Sequence, residues 1–169
     1  MKKNLALTGM MGVGKSTIGR ELAKKLSMQF SDIDQIIINK LKMSIQKVFK
    51  EKGELFFREI EEKITLQEAK KKNMIISLGG GAFMSSKIRK VILSNSKSFW
   101  LDLDTSLLEK RLIKSKKRPL LRNKNLKDIL EKIYMERKTT YAIADYRIDC
   151  NKLNSNLITN KIIKLYAAN

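Results

Sequence analysis

Short apolar runs alternate with segments of helical periodicity along most of the chain. The apolar run 4–8 precedes 15–26, where Ile18, Leu22 and Leu26 recur at the spacing of one helix face. The same alternation predicts further strands at 28–31, 74–78, 98–104 and 146–150, and further helices at 36–41, 44–72 with a break near Gly53, 85–96, 106–114, 127–145 and 156–168. Strand and helix in turn predict an α/β fold, a parallel sheet covered by helices on both faces.

The chain reads as one unit. It has 169 residues, no internal repeat and no linker rich in Gly, Pro or Ser, which predicts a single domain over 1–169. Its single cysteine, Cys150, excludes an intramolecular disulfide and fits a reducing compartment. We see no secretory leader and no apolar run near the ~20 residues of a membrane span. We therefore expect a cytoplasmic protein without a membrane partner.

The net charge of +19, from 36 basic and 17 acidic residues, admits three interpretations. It indicates a nucleic-acid partner, acidic small substrates, or merely a lysine-rich composition. The one local concentration is the segment 111–127, here called the lid segment, with eight basic residues and no acid. It has no aromatic residue to stack on bases, which argues against nucleic acid. We expect it to close over a triphosphate, with Arg118 stabilising charge on the transferred group.

The stretch GMMGVGKST, residues 9–17, has the spacing of a phosphate-binding loop between a strand and a helix. Glycines let backbone N–H groups face a phosphate, and the helix N-terminus adds partial positive charge. Lys15 can reach the β- and γ-phosphates, and the Ser16 hydroxyl can hold Mg²⁺. We predict that a nucleoside triphosphate is bound by Gly12, Val13, Gly14, Lys15, Ser16 and Thr17.

A nucleotide switch protein is disfavoured. The Asn-Lys-x-Asp base reader and the Asp-x-x-Gly switch element of GTPases are both absent from the sequence. A small kinase is the favoured class.

Two carboxylates, Asp32 and Asp34, follow the second predicted strand. Side chains two apart in an extended segment point to the same side, so both could face the phosphates. One could hold Mg²⁺ through water and the other could accept a substrate proton. A solvated loop with a helix cap is the alternative.

Two further motifs fit an acceptor site. Arg58 and Glu61, three apart, share a helix face, and a fixed guanidinium could bind a substrate carboxylate bidentately. A plain surface ion pair is the alternative. Gly79, Gly80 and Gly81 follow a buried strand and permit close approach to a ligand, or simply form a tight turn. The phosphate loop, the aspartate pair and the triple glycine all fall at carboxyl ends of predicted strands, where open α/β sheets bind ligands.

Together these pieces resemble the shikimate kinase family along nearly the whole chain. The matching stretches, in order, are GMMGVGKSTIGRELAKKL, DID, MSIQKVFKEKGELFFREIE, SLGGGAF, FWLDLD, RPLL and ERKTTYAIADYRID. The resemblance implies a nucleoside monophosphate kinase-like fold, a three-layer sandwich around a five-stranded parallel sheet. It also implies transfer of the γ-phosphoryl group of ATP to the 3-hydroxyl of shikimate, with Mg²⁺, in the pathway to aromatic amino acids.

The family's residue roles carry over where the motifs match. The resemblance implies a substrate-binding helical region at about 33–61, in which Asp34 binds the substrate hydroxyls and is the candidate base, and Glu61 supports Arg58. It implies that Arg58 and Arg137 bind the substrate carboxylate and that Gly79, Gly80 and Gly81 hold the substrate through their backbone. On the nucleotide side it implies that Lys15 and Arg118 neutralise the phosphoryl group, that Ser16 binds Mg²⁺ with Asp32 reaching the ion through water, and that Arg111 lies against adenine. It also implies a monomer.

The chain departs from the family pattern in three places. Lys42 stands where relatives usually have glycine, KTT follows Arg137 in place of a proline-containing run, and 151–156 lacks the expected proline-containing adenine loop. Two alternatives stay open: a related kinase for gluconate or a nucleoside monophosphate, and a basic P-loop protein that binds nucleic acid.

Overall fold

The computed structural model describes residues 3–114 and 125–168. The strands are β1 (Asn4–Thr8), β2 (Gln29–Asp32), β3 (Met74–Ser77), β4 (Ser96–Asp102) and β5 (Tyr146–Asp149). The helices are α1 (Lys15–Leu26), α2 (Ile33–Leu41), α3 (Ile45–Ala69), α4 (Ser86–Asn95), α5 (Thr105–Lys114), α6 (Leu126–Tyr141) and α7 (Ser155–Ala167), with a 3₁₀ turn at Ala82–Met84.

The five strands form one parallel sheet in the order β2-β3-β1-β4-β5. The chain moves one way along the sheet from β1 to β2 and the other way from β2 to β5. Because parallel crossovers are right-handed, α1 lies on one face and the helices between later strands on the other. Helix α7 packs on α1, and α3 packs on α4. The predicted three-layer α/β sandwich with a five-stranded parallel sheet is confirmed.

The core is centred on β1, whose five residues are all buried. Leu5 and Leu7 pair with β3 and β4 on either side, and Ile75, Ile76 and Phe99 are fully buried there. A central parallel strand is covered on both faces and therefore carries an almost continuous apolar run. Because β1 is the central strand, the loop that follows it lies at the middle of the sheet, at the carboxyl-terminal ends of the strands.

Two predicted boundaries near the site were wrong. Strand β2 continues to Asp32, and α2 begins at Ile33 and not at Ile36, because the Asp32 carboxylate caps the helix by accepting from the Gln35 N–H at 3.2 Å. Asp34 therefore lies in the first turn of a helix. The argument from strand alternation does not apply to this pair of carboxylates.

Two residues, Gly53 and Lys42, interrupt or end helices with a positive φ angle. Gly53 interrupts α3 with φ 83° and ψ 169°, where a break was predicted. Lys42 ends α2 in the left-handed region, at φ 54° and ψ 31°, so the backbone keeps the conformation that glycine would favour. Helix α6 runs through KTT to Tyr141 without interruption. Among the described residues, no helix is long and apolar enough to cross a membrane.

Candidate active site

The phosphate loop, residues 9–17, has the backbone that its glycines predict. Gly9, Gly12 and Gly14 all have positive φ, at 133°, 81° and 105°. Helix α1 begins after Gly14 with no side-chain cap, so its first amides remain available for an anion. The buried Lys15 Nζ donates to the carbonyls of Gly9 at 2.8 Å and Met10 at 2.9 Å. The loop thus combines backbone donors, a helix terminus and an ammonium group.

Helix α5 packs directly on this loop. Arg111 Nη1 donates to the Val13 carbonyl at 3.0 Å. A Cβ on Gly12 would lie 3.0 Å from Leu112 Cδ2, so the next residue of α5 also touches the loop. The structure therefore brings Arg111 to the predicted nucleotide site. Arg118 lies outside the described residues.

The triple-glycine turn, residues 79–81, is the meeting point of the remaining predicted residues. A Cβ on Gly79 would collide with Glu61 Oε1 and lie 3.0 Å from Asp34 Oδ1. On Gly81, it would lie 2.7 Å from both Nη atoms of Arg58. Gly80 faces the phosphate loop, since its Cβ would come within 3.3 Å of the Met11 amide nitrogen. The glycines thus allow close approach from the Arg58 and Glu61 side chains and from the phosphate loop.

Arg58 lies in a carboxylate clamp. Its Nη1 donates to Glu61 Oε2 at 2.6 Å, while Nε and Nη2 donate to Glu54 Oε1 at 3.3 and 3.2 Å. Burial opposes its charge, but Glu61 and Glu54 outweigh burial and raise the pKa of Arg58. The surface-pair alternative fails for Glu61, which is only 1% exposed. The guanidinium also lies over the Phe57 ring, 5.2 Å from its centroid.

Glu61 is an unusual carboxylate. Burial raises its pKa, Arg58 opposes that shift, and the nearby Asp34 adds to it. Its Oε1 has no hydrogen-bond partner within the part of the chain that the structure describes. A buried carboxylate held by one partner is costly. Its retention beside Arg58 and Asp34 therefore points to a role in the site.

Helix α6 closes the site from the other side. Arg137 Nη1 donates to the Gly80 carbonyl at 3.1 Å, and the Tyr141 hydroxyl donates to the same oxygen. Between α3, α4 and α6 lies a pocket of about 350 Å³. Its lining comprises Glu54, Arg58, Glu61, Glu62, Gly81, Met84, Ser85, Ile88 and Arg137. The lining thus holds three glutamates and two arginines beside the apolar Met84 and Ile88, and Arg58 and Arg137 are the groups in it that could bind an acid.

The residues predicted to hold Mg²⁺ provide a suitable donor set. Asp32 pairs in register with Ser77, which pairs with Leu7 in β1. Residue 32 thus lies level with Leu7 near the end of β1, on a strand that β3 separates from β1. A hydroxyl and a carboxylate are hard oxygen donors, which Mg²⁺ uses beside phosphate oxygens and water. Over residues 3–114 and 125–168 we find no cluster of three His, Cys, Asp or Glu residues that could hold a metal.

Sequence reasoning missed Tyr141 and the contact of Glu54 with Arg58. Both lie four residues from a predicted arginine on the same helix, Tyr141 from Arg137 and Glu54 from Arg58. The i, i+4 spacing was the available signal. For Tyr141 the partner is a backbone carbonyl 61 residues away, which no local pattern reveals.

A phosphate loop after the first strand of a parallel sheet, next to a glycine turn that two arginines contact, is the arrangement of a P-loop kinase. The family model for shikimate kinase matches residues 11–167. The chain belongs to the shikimate kinase family, as the resemblance predicted, and is an ATP-dependent kinase.

Individual proteins similar to this chain also include shikimate kinases. The shikimate kinase of Bartonella henselae is 37% identical over 160 residues, which cover 95% of this chain and 76% of the relative. The structure of shikimate kinase from Acinetobacter baumannii in complex with shikimate is 30% identical, with a TM-score of 0.90 over 96% of this chain and 92% of that one. The enzyme from Bacteroides thetaiotaomicron is 29% identical, with a TM-score of 0.89 over 96% and 97%. A gluconokinase from Sinorhizobium meliloti, 13% identical with a TM-score of 0.62, shares the fold.

Proposed function

We propose that this chain transfers the γ-phosphoryl group of ATP to the 3-hydroxyl of shikimate, giving shikimate 3-phosphate and ADP. Family membership supports the reaction, and the Acinetobacter baumannii relative binds shikimate. The observation that carries the assignment is the position of Arg58 and Arg137 on either side of the triple-glycine turn. That turn also touches the phosphate loop at Met11, so acceptor and donor sites are adjacent.

On the donor side, the phosphate loop and Lys15 bind the β- and γ-phosphates, and Arg111 lies against adenine. The contact of Arg111 with Val13 supports a place beside the nucleotide. Ser16 would hold Mg²⁺, with Asp32 reaching it through water. When bound, the ion neutralises negative charge on the phosphates. Arg118 adds positive charge as the lid segment, 111–127, closes.

On the acceptor side, Arg58 and Arg137 take the carboxylate of shikimate, and Glu61 orients Arg58. A planar guanidinium fork matches a carboxylate bidentately. Asp34 accepts a hydrogen bond from the 3-hydroxyl and takes its proton as the hydroxyl oxygen bonds to the γ-phosphorus. The bond from that phosphorus to the β,γ-bridging oxygen breaks, and ADP leaves with the electron pair.

The remaining expectations belong to the same proposal. We place the activity in a single domain, 1–169, acting as a monomer in the cytoplasm without nucleic acid. The charge of +19 then attracts two anionic substrates. Salt dependence of shikimate turnover, without any response to RNA, is the expected behaviour.

The test is ADP release from ATP and Mg²⁺ with shikimate, gluconate, AMP, CMP or RNA each offered separately. Strong release with shikimate alone is expected, and Asp34→Asn should lower kcat by about a hundredfold or more, the usual contribution of a general base. Release with gluconate or a nucleotide would support a kinase activity but overturn the assignment of shikimate as the substrate. Release that needs RNA would overturn the whole acceptor site.

A further inference from the structure

The central Gly80–Gly81 peptide of the triple-glycine turn needs a restraint from outside the turn. Side chains on Gly79 or Gly81 would meet the ends of the Glu61 or Arg58 side chains, and glycine avoids that contact. Glycine, however, lets the adjoining peptide planes rotate at little steric cost. The Ala82 N–H closes the turn by donating to the Gly79 carbonyl at 3.1 Å, but this bond spans the central Gly80–Gly81 peptide without contacting it. The orientation of that peptide therefore depends on hydrogen bonds from neighbouring elements.

Helix α6 supplies that restraint through one face. Arg137 and Tyr141 are four residues apart, and both donate to the Gly80 carbonyl. Arg137 carries a proposed second task, because it also binds the acceptor carboxylate. Tyr141 is fully buried and has no such task. It is the donor that can hold Gly80 whether or not acceptor is bound.

The Tyr141 ring is itself fixed. It lies between Trp100 of β4, 5.9 Å between ring centroids, and Met10 of the phosphate loop, whose sulfur is 4.0 Å from the hydroxyl. Burial raises the pKa of Tyr141, opposed by Arg137. The hydroxyl therefore keeps its proton at neutral pH and acts as a donor.

Holding the Gly80 carbonyl fixes the next amide as well. The peptide to Gly81 is trans, so the Gly81 N–H points away from the oxygen that α6 holds. Within residues 3–114 and 125–168, the Gly80 and Gly81 amides donate to no acceptor. The Gly81 amide thus points away from the Gly80 oxygen that α6 holds, and Gly81 itself lies beside Arg58, where a carboxylate would need a donor.

We propose that Tyr141 is a positioning residue of the acceptor site, which orients the Gly80–Gly81 peptide so that the Gly81 amide can donate to the acceptor carboxylate. This rests on the proposed function, because the carboxylate is that of shikimate. It predicts that the Tyr141 hydroxyl contributes to acceptor binding without touching the acceptor.

The chain offers a matched control. Tyr166 is also a buried tyrosine, and its hydroxyl donates to the backbone carbonyl of Lys3, outside the site. Tyr141→Phe and Tyr166→Phe remove the same atom from the same kind of bond. Both variants should lose similar thermal stability, but only Tyr141→Phe should change acceptor use.

We expect Tyr141→Phe to raise KM for shikimate about three- to tenfold, the range of one net hydrogen bond. KM for ATP should stay within about twofold, and Tyr166→Phe should keep both constants within about twofold. Thermal protection by shikimate gives the dissociation constant as an independent measurement. It works even if the variant is only partly folded at the assay temperature.

The outcomes separate the two proposals. No shikimate turnover by the unmodified chain would overturn the proposed function. Normal turnover together with an unchanged shikimate KM and dissociation constant in Tyr141→Phe would overturn the positioning role alone. Equal rises in both KM values, or the same rise in Tyr166→Phe, would show that the hydroxyl only stabilises the fold.

Discussion

Replacing Glu61 by Gln tests whether the carboxylate clamp orients Arg58 for the acceptor. Glu61 Oε2 lies 2.6 Å from Arg58 Nη1, and their side chains are 2% and 33% exposed. Exposed pairs contribute about 0.2–1 kcal/mol, and breaking a buried pair costs about 3–5 kcal/mol. With one partner one-third exposed, we place this interaction at about 1–2 kcal/mol. Glu61→Gln should therefore raise KM for shikimate about 5- to 30-fold.

Glu54 provides the matched comparison. It contacts the same guanidinium at 3.2 Å, but its side chain is 66% exposed. At about 0.2–1 kcal/mol, Glu54→Gln should raise the same KM by no more than about fivefold. Steady-state kinetics with shikimate and ATP varied separately distinguish the two variants. A shikimate KM that is unchanged or lower in Glu61→Gln would show that Glu61 competes with the substrate for Arg58, and would refute the orientation argument.

The effect of Glu61→Gln on stability should depend on pH. Burial raises the pKa of Glu61 above its ordinary value of 4.5. The unfolded chain then loses this proton first as pH rises above that value, so ionisation of Glu61 destabilises the fold at higher pH. Gln does not ionise. The difference in the free energy of unfolding between Glu61→Gln and the unmodified chain, measured by urea denaturation, should favour the variant more at pH 8 than at pH 4. The variant is thus relatively more stable at the higher pH.

Three further predictions use different observables. Arg58→Ala should lose about tenfold or more in kcat/KM for shikimate, and Arg58→Lys should not restore it, because a point charge cannot replace the fork; unchanged kinetics would remove Arg58 from the site. Lys42→Gly should raise the free energy of unfolding by about 0.5–1 kcal/mol, since glycine fits the left-handed backbone, and should shift Tm upward by about 1–4 °C; a lower Tm would contradict the strain argument. Cys150 is 1% exposed, and burial raises its pKa to about 11, so a thiol reagent at pH 8 should label it only after unfolding, and rapid labelling of the native chain would contradict this.

Local features were the ones that the sequence predicted well. The phosphate loop is contiguous, and its glycines and Lys15 occupy the expected positions between β1 and α1, whose bounds were both predicted correctly. The break at Gly53 and the ion pair of Arg58 with Glu61 also follow from spacing within one segment. Such features depend on backbone periodicity over a few residues, which the sequence encodes directly.

The pair Asp32 and Asp34 marks the limit of this reasoning. Their spacing suggested two carboxylates on one side of a strand, but helix α2 starts between them because Asp32 caps it. Asp34 lies beside Gly79 and Glu61. The local geometry predicted for the pair was wrong, and the site roles of both carboxylates stay predictions.

Composition and residue spacing were enough to predict the fold class, the phosphate loop and the candidate residues of the acceptor site. Which residues meet depends on how distant segments pack: Glu61 with Gly79, Arg111 with Val13, and Tyr141 with the Gly80 carbonyl. Each of these contacts joins segments far apart in the chain. They form because packing of helices on a parallel sheet brings the carboxyl ends of β1 and β3 together, and no spacing within one segment specifies that approach.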